Sequence, residues 1–434
     1  MRLTMLNKLS GLGNAFLRSA AYERRFLAKN PWDFSMVVWI PLATVLLIWW
    51  IFSQIQITDL PIGVIDKDRG PVANTALRYL EANPNLTVKQ LYYSPATAEA
   101  AILQRDIYAV VIIPEDFSRN ISSSKPAPIV LQVNAQYGTH SGIIQTSVQS
   151  VIGTLSAGVE MQRLVKKGMA PSQAAIAYSP ISIQRISLFN AATDYQQFLA
   201  STVIPALLHI LAMVVGATTI GRELRDKRIG RWYRFIDGSR PNLSLPSNNT
   251  DANTSDSATS TQLQAPKNVS ILVLLFGLLG KYFWPILAYS IWSILAIWLA
   301  APQQAIAISS IIATYLGLVL LMMLSFWLGA ILTLASYSLR MGLSATGFIS
   351  APSYAFAGVT FPYIAISDSA QHWSDTLPLT HYLKLHIAQL QMQAPVAVSL
   401  PVVYGLTIAT LIAMFLTALL SKRALAHPER WGAR

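Results

Sequence analysis

The chain has 434 residues, of which 53% are hydrophobic and only 12% charged, about half the charged share of a soluble domain, so composition points to an integral membrane protein and excludes disorder over most of the length. It has no cysteine, which removes disulfide scaffolds, thiolate metal centres, iron–sulfur clusters and cysteine nucleophiles. The net charge of +12 would suit a nucleic-acid binder, but the cations flank apolar runs, which is the pattern of a membrane protein.

A transmembrane helix takes about 20 apolar residues, because about 30 Å of hydrocarbon is crossed at about 1.5 Å per residue. Residues 1–33 read as a cytoplasmic N-terminal interfacial helix carrying Arg24, Arg25 and Lys29. Residues 34–52 form the first span, uncharged and ending in the interfacial pair Trp49 and Trp50. Residues 53–197 alternate strand and helix patterns: strands at 62–65, 86–91, 108–113 and 129–133, helices at 74–80 and 97–103. Ile144, Val148, Val151, Ile152, Leu155 and Val159 then recur at helical spacing, with Gly168 as the stop. This block is long enough to bury its own core and predicts an α/β external domain.

Residues 198–220 are the second span, interrupted only by Pro205 and His209. His209 suits a helix–helix hydrogen bond better than a proton relay. Residues 221–237 form a charged segment, Gly221-Arg222-Glu223-Leu224-Arg225-Asp226-Lys227-Arg228, running into Trp232, Tyr233 and Phe235. Two readings stand side by side: a helix on the cytoplasmic face through which energy is received, or a plain cationic anchor. Residues 238–268 are dominated by Ser, Thr, Asn, Asp and Pro and predict a disordered polar linker.

Residues 269–420 hold the remaining four spans. A short interfacial helix is expected at 271–280, with Lys281 snorkelling at the membrane edge. Spans follow at 282–299 and 306–336 around an Ala-Pro-Gln-Gln turn, then at 342–361, rich in Gly, Ser and Ala, and at 400–420. Residues 421–434 form a tail. The predicted fold class is thus an α-helical integral membrane protein with six transmembrane helices and an α/β domain inserted between the first two. Lys and Arg concentrate before the first span, after the second, at Arg340 and in the tail, whereas the loop at 362–399 has only Lys384. By the positive-inside rule both termini are cytoplasmic.

Little chemistry is written into the chain. Gly277-Leu278-Leu279-Gly280-Lys281-Tyr282 falls short of a phosphate-binding loop. Neither a His-Glu-x-x-His nor a Gly-x-Ser-x-Gly motif is present. His372, His381 and His386 lack helical ligand spacing and read as surface or interfacial side chains. Apart from His209 the six expected spans have no ionisable centre, so a driving force has to come from another protein.

The order of parts resembles the type-2 ABC exporter permeases, closest to the drug-resistance-like subgroup with a large first external loop. Local matches are Leu60-Pro61-Ile62-Gly63-Val64-Ile65-Asp66 with Asp68, and Ala109-Val110-Val111-Ile112-Ile113-Pro114 followed by Asp116-Phe117-Ser118. Further matches are Gly280-Lys281, the Gly358-to-Pro362 end of the fifth span, and Leu377-Pro378-Leu379-Thr380-His381-Tyr382. The family commonly has Glu-x-Glu-x-Gly-Thr after the second span; here Asp226 stands one place late and Lys227-Arg228 replace Gly-Thr.

The resemblance implies a bacterial inner-membrane permease that moves a hydrophobic or amphipathic substrate such as a drug or lipid outward. It would bind no cofactor or metal and hold no catalytic residue, ATP and Mg belonging to a separate ABC ATPase subunit. A second permease chain, identical or paralogous, completes the transporter, and a periplasmic membrane-fusion adaptor with an outer-membrane channel is compatible with the external domain. Arg222, Glu223, Arg225, Asp226, Arg228 and Trp232 would couple to the ATPase, and His209, Gly358 and Pro362 would serve translocation or packing. The alternative is a membrane-anchored receptor or assembly scaffold with a ligand-binding external domain; a hydrolase ranks last for want of a nucleophile–base pair.

Overall fold

The structure, a computed structural model, describes residues 2–53, 57–178, 188–190, 194–239, 269–301 and 306–432. It divides into two compact units, Met1–Ile55 with Leu188–Arg434, and Gln56–Ser187. The polar linker expected at 238–268 falls almost wholly outside the described residues, as does most of the Ala-Pro-Gln-Gln turn.

The helical unit begins with α1 (Arg2–Lys29), α2 (Pro31–Val37) and α3 (Trp39–Ile51). The first expected span is α2 and α3 together, bent by 42° between them. The cause is Pro41 in the first turn of α3: it has no N–H to donate and its ring crowds the carbonyl four residues back, at Val37.

The second unit is α/β. Its strands are β1 (Leu60–Asp66), β2 (Leu86–Leu91), β3 (Ala109–Ile113) and β4 (Val130–Val133), interleaved with α4 (Pro71–Glu81), α5 (Pro95–Leu103) and α6 (Phe117–Ser122), and followed by α7 (Gly138–Lys166) and α8 (Pro171–Tyr178). The sheet order is β2-β1-β3-β4, with β1 parallel to β2 and β3, and β4 antiparallel to β3. Ile62, Val64, Val111 and Ile113 alternate onto one face, where Leu80 of α4 and Ile144, Val148 and Val151 of α7 cover them. Ile65 and Val110 on the other face meet Ala98 of α5.

The two signature motifs of this unit meet each other. Asp68 Oδ2 accepts hydrogen bonds from the Ser118 hydroxyl at 2.5 Å, the Ser118 amide at 3.2 Å and the Gly70 amide at 3.1 Å. Ser118 Oγ in turn accepts from the Val72 and Ala73 amides at the start of α4. The acidic turn after β1 and the Asp-Phe-Ser turn after β3 therefore cap one helix between them, supplying partners to its first free N–H groups.

The chain then returns to the helical unit. A π turn at Gln196–Ala200 leads into α9 (Ser201–Arg225), followed by α10 (Ile229–Ile236), α11 (Ile271–Ala300) and α12 (Ile308–Ser336). After these come α13 (Leu339–Ser350), the single turn α14 (Ser353–Phe356), α15 (Asp368–Thr376), α16 (Pro378–His386) and α17 (Val396–Ala426). Among the described residues four helices are long and apolar enough to cross a membrane, and a fifth if the α2–α3 pair counts as one span.

Two expectations are corrected here. The stretch 342–361 is not one helix: α13 has 12 residues, about 18 Å, and ends before Pro352, which has no N–H with which to continue the helical ladder. Nor is there a separate interfacial helix at 271–280, since α11 runs unbroken for 30 residues through Gly280, Lys281 and Pro285. The helical unit is held by close crossings. At Gly216 of α9 a Cβ would stand 2.2 Å from the Phe326 carbonyl oxygen, and at Gly329 of α12 2.0 Å from that of Met213, so the two backbones approach where side chains are absent.

Candidate functional site

The last turn of α9 carries the charged segment, and the structure splits it into an enclosed and an exposed half. Gly221 to Leu224 are buried, Arg225, Asp226 and Lys227 are exposed, and Arg228 is half-buried. Arg222 and Glu223 enter a cluster of ionic side chains drawn from four helices. Lys281 Nζ of α11 lies 2.8 Å from Glu223 Oε1 and 3.4 Å from Glu23 Oε2 of α1. Arg222 pairs with Glu23 and reaches Asp33 of α2 at 3.5 Å. Glu23 and Lys281 are completely enclosed. Two cations thus face two enclosed carboxylates, with Asp33 at the rim.

Aromatic side chains wall the cluster. The Arg222 guanidinium stacks 3.8 Å over Phe26, and the Lys281 ammonium lies 5.0 Å from the Tyr22 ring and 5.3 Å from Trp232 of α10. Trp232 Nε1 donates to Ser19 Oγ at 3.1 Å, and Trp284 Nε1 to the Ala20 carbonyl at 2.9 Å. At Gly280 a Cβ would stand 2.2 Å from the Phe16 carbonyl oxygen, so this glycine lets α1 lie directly on α11. Burial also pushes the Tyr22 hydroxyl up, helped by the nearby Glu223 carboxylate, so the phenol stays neutral.

The placement alters two readings of the sequence. Lys281 does not snorkel: a cation inside an apolar helix stays there because two carboxylates reach it, one of them from 258 positions away. Arg222, Glu223 and Trp232 are buried and present no surface to a partner, so the accessible part of the segment is the turn Arg225–Asp226–Lys227 with Arg228. Sequence reasoning missed Glu23 and Lys281 as members of this site. The available signal was a Glu among basic residues on the interfacial helix and a Lys one place after a glycine in an apolar run.

That turn has a defined geometry. The Asp226 and Lys227 amides donate to the Arg222 and Leu224 carbonyls at 2.9 and 3.1 Å, and the Arg228 amide to that of Glu223 at 2.7 Å. Lys227 closes the helix with φ +55, a left-handed position that favours glycine. It stands where the resembled family carries its glycine, so the departure in sequence keeps the backbone shape. Arg225 Nε is paired with Asp226 Oδ1 at 2.8 Å.

The other candidate residues lie apart from the cluster. His209 Nδ1 is hydrogen-bonded to Ser325 Oγ at 2.6 Å, joining α9 to α12 inside the unit. Gly358 has φ +77 and turns the chain after α14, and exposed Pro362 opens the short turn Tyr363–Ala365. In the Leu377-to-Tyr382 element, Thr380 meets Ser374 at 3.4 Å and the Tyr382 hydroxyl shares a hydrogen bond with His386 Nδ1 at 3.1 Å. His386 is enclosed, not superficial, and burial lowers its imidazole to about 4. Among the described residues no three His, Asp or Glu side chains gather as metal ligands.

Residues 31–243 match the family model of the ABC-2 family transporter proteins. No curated protein and no solved structure matches the chain. The matched stretch runs from the bent α2–α3 pair through the α/β unit to α9 and α10, and so includes Asp33, Arg222 and Glu223 of the charged cluster, without Glu23 and Lys281, and the turn beside it. Together with the long apolar helices it indicates a multi-pass membrane protein and supports an ABC-2 type permease, a membrane transport subunit whose family works with an ABC ATPase.

Proposed function

We propose that the chain is the permease subunit of an ATP-driven exporter and that the exposed turn Arg225–Asp226–Lys227, with Arg228, receives the ATPase. The observation that carries this reading is the enclosed cluster beneath that turn. Glu23, Arg222, Glu223 and Lys281 tie α1, α9 and α11 into one block, with Trp232 of α10 against it. A displacement applied at the turn therefore moves the interfacial helix and two spans together, because each enclosed charge would lose its partner if one helix moved alone. Arg222 and Glu223 transmit the movement without touching the ATPase. ATP and Mg stay on that subunit.

On this reading the cationic segments face the cytoplasm, both termini lie there, and the α/β unit is external and periplasmic. Two permease chains assemble with two ATPases in the inner membrane of a bacterium, and a hydrophobic or amphipathic compound is moved outward. The α/β unit is then the surface for a membrane-fusion adaptor leading to an outer-membrane channel.

The test is reconstitution. The chain and its ATPase in proteoliposomes should accumulate an amphipathic dye in an ATP-dependent way, and the charge-reversed pair Arg225→Glu with Asp226→Lys should lower ATPase capture while leaving the melting temperature within a degree or two. Uphill transport by the chain alone, or unchanged transport in cells lacking every ABC ATPase, overturns the proposal.

A further inference from the structure

The unit also contains a slot that the coupling site does not use. Between α12 and α17 lies a groove of about 710 Å³. Its walls are Leu324 and Leu328 on one side and Gly405, Ala409, Ala413 and Leu416 on the other. One end is polar, lined by Asp375, Thr376 and His381. We propose that this groove binds a single-chain amphiphile with an ammonium head, the chain lying along α17 and the head at Asp375.

Shape selects the chain. From Pro401 to Leu416 the groove follows α17 for about 22 Å at about 1.5 Å per residue. That length and volume describe an elongated apolar furrow, open along one side. An extended alkyl chain fits such a furrow along its length. At Gly405, about a quarter of the way from Pro401, a Cβ would meet nothing within 4 Å, so the width there is set by a missing side chain and not by a collapsed wall. The small faces of Ala409 and Ala413 continue the floor.

Chemistry selects the head. Asp375 Oδ2 is held by the Tyr363 hydroxyl at 2.8 Å, and His381 Nε2 donates to the Asp375 carbonyl at 2.8 Å, leaving Nδ1 as an acceptor. Thr376 gives its hydroxyl proton to the His372 carbonyl at 2.8 Å. The groove end thus offers a carboxylate and two acceptors. Lys384 approaches Asp375 only at 3.9 Å, and both are half exposed, so the carboxylate keeps room for a second cation. An anionic head would meet Asp375 first.

The inference rests on the permease reading only in taking α12 and α17 as bilayer helices. Full-length protein in lipid nanodiscs, without nucleotide or ATPase, is titrated with a fluorescent hexadecylammonium probe. Saturable binding is expected, displaced by hexadecyltrimethylammonium, and at least tenfold less well by its octyl homologue or by hexadecyl sulfate. Gly405→Phe fills the slot and should abolish saturable binding with the melting temperature retained. Asp375→Asn should weaken the ammonium probe about fivefold and leave a neutral hexadecyl glycoside unchanged. Intact binding in Gly405→Phe, equal loss of both heads in Asp375→Asn, or efficient disulfide formation between copies of Gly405→Cys (the chain has no other cysteine) overturns the groove. Intact probe binding with no ATP-driven export overturns the permease reading instead.

Discussion

Each of the two units contains a polar network, and they are built in opposite ways. In the α/β unit Asp68, Gly70 and Ser118 form a knot, with Ser118 buried and Asp68 and Gly70 partly exposed, that satisfies backbone amides at the start of α4. In the helical unit Glu23, Arg222, Glu223 and Lys281 are sealed from solvent and pair with one another, while Arg222 Nε and Glu223 Oε2 are buried without a hydrogen-bond partner among the described residues. The first loses less with a member, because it encloses no ion pair and Asp68 still reaches water. The second loses more, since a lone charge left in an apolar interior has nothing to turn to. A network's burial, more than its number of bonds, therefore sets what a single substitution costs.

The sharpest way to break this contrast is at Lys281. Lys281→Met leaves Glu223 without a cation and should destabilise the purified protein by about 3–5 kcal/mol, read as a lowered melting temperature in detergent. Adding Glu223→Leu should restore part of that loss, because Glu23 still has Arg222. A single variant as stable as the parent would show the cluster to be hydrated.

His386 tests enclosure by pH. Its imidazole is neutral when folded and lowered by burial to about 4, against about 6.5 unfolded. A base whose folded value is depressed contributes stability that is complete above 6.5 and lost as pH falls towards 4. On the order of 3 kcal/mol should go across that window, and His386→Phe should flatten the profile of melting temperature between pH 7 and pH 4.5.

In the α/β unit the effects are smaller. Ser118→Ala removes the Asp68 partner and the cap on α4, and should cost about 1–2 kcal/mol in chemical denaturation. Smallest of all, Lys227→Gly places a glycine at the left-handed turn and should raise stability by about 0.5–1 kcal/mol in chemical denaturation.

The α/β unit could be read in advance because its signals are local. Alternating residues such as Ile62, Val64, Val111 and Ile113 show which strand face is apolar, and Ile144, Val148 and Val151 show the same for α7. The long spans were legible for a similar reason, but Pro41 and Pro352 broke two of them at places that a hydropathy window passes over. The charged cluster and its turn were half legible. Arg222 to Arg228 stand together in the chain, yet nothing near them in sequence tells that Arg222 and Glu223 turn inward while Arg225 to Lys227 turn outward.

The sequence by itself determined the class of protein, the apolar segments, the inserted α/β pattern and the absence of a nucleotide-binding loop, since each depends on composition or on spacing within a few tens of residues. Only the tertiary structure decided that Lys281 belongs inside and that Glu23 is its partner, and only it opened the slot beside Gly405. Charges pair, and small residues leave a void or close one, according to which helix lies across from them, and those neighbours come from positions up to hundreds of residues apart.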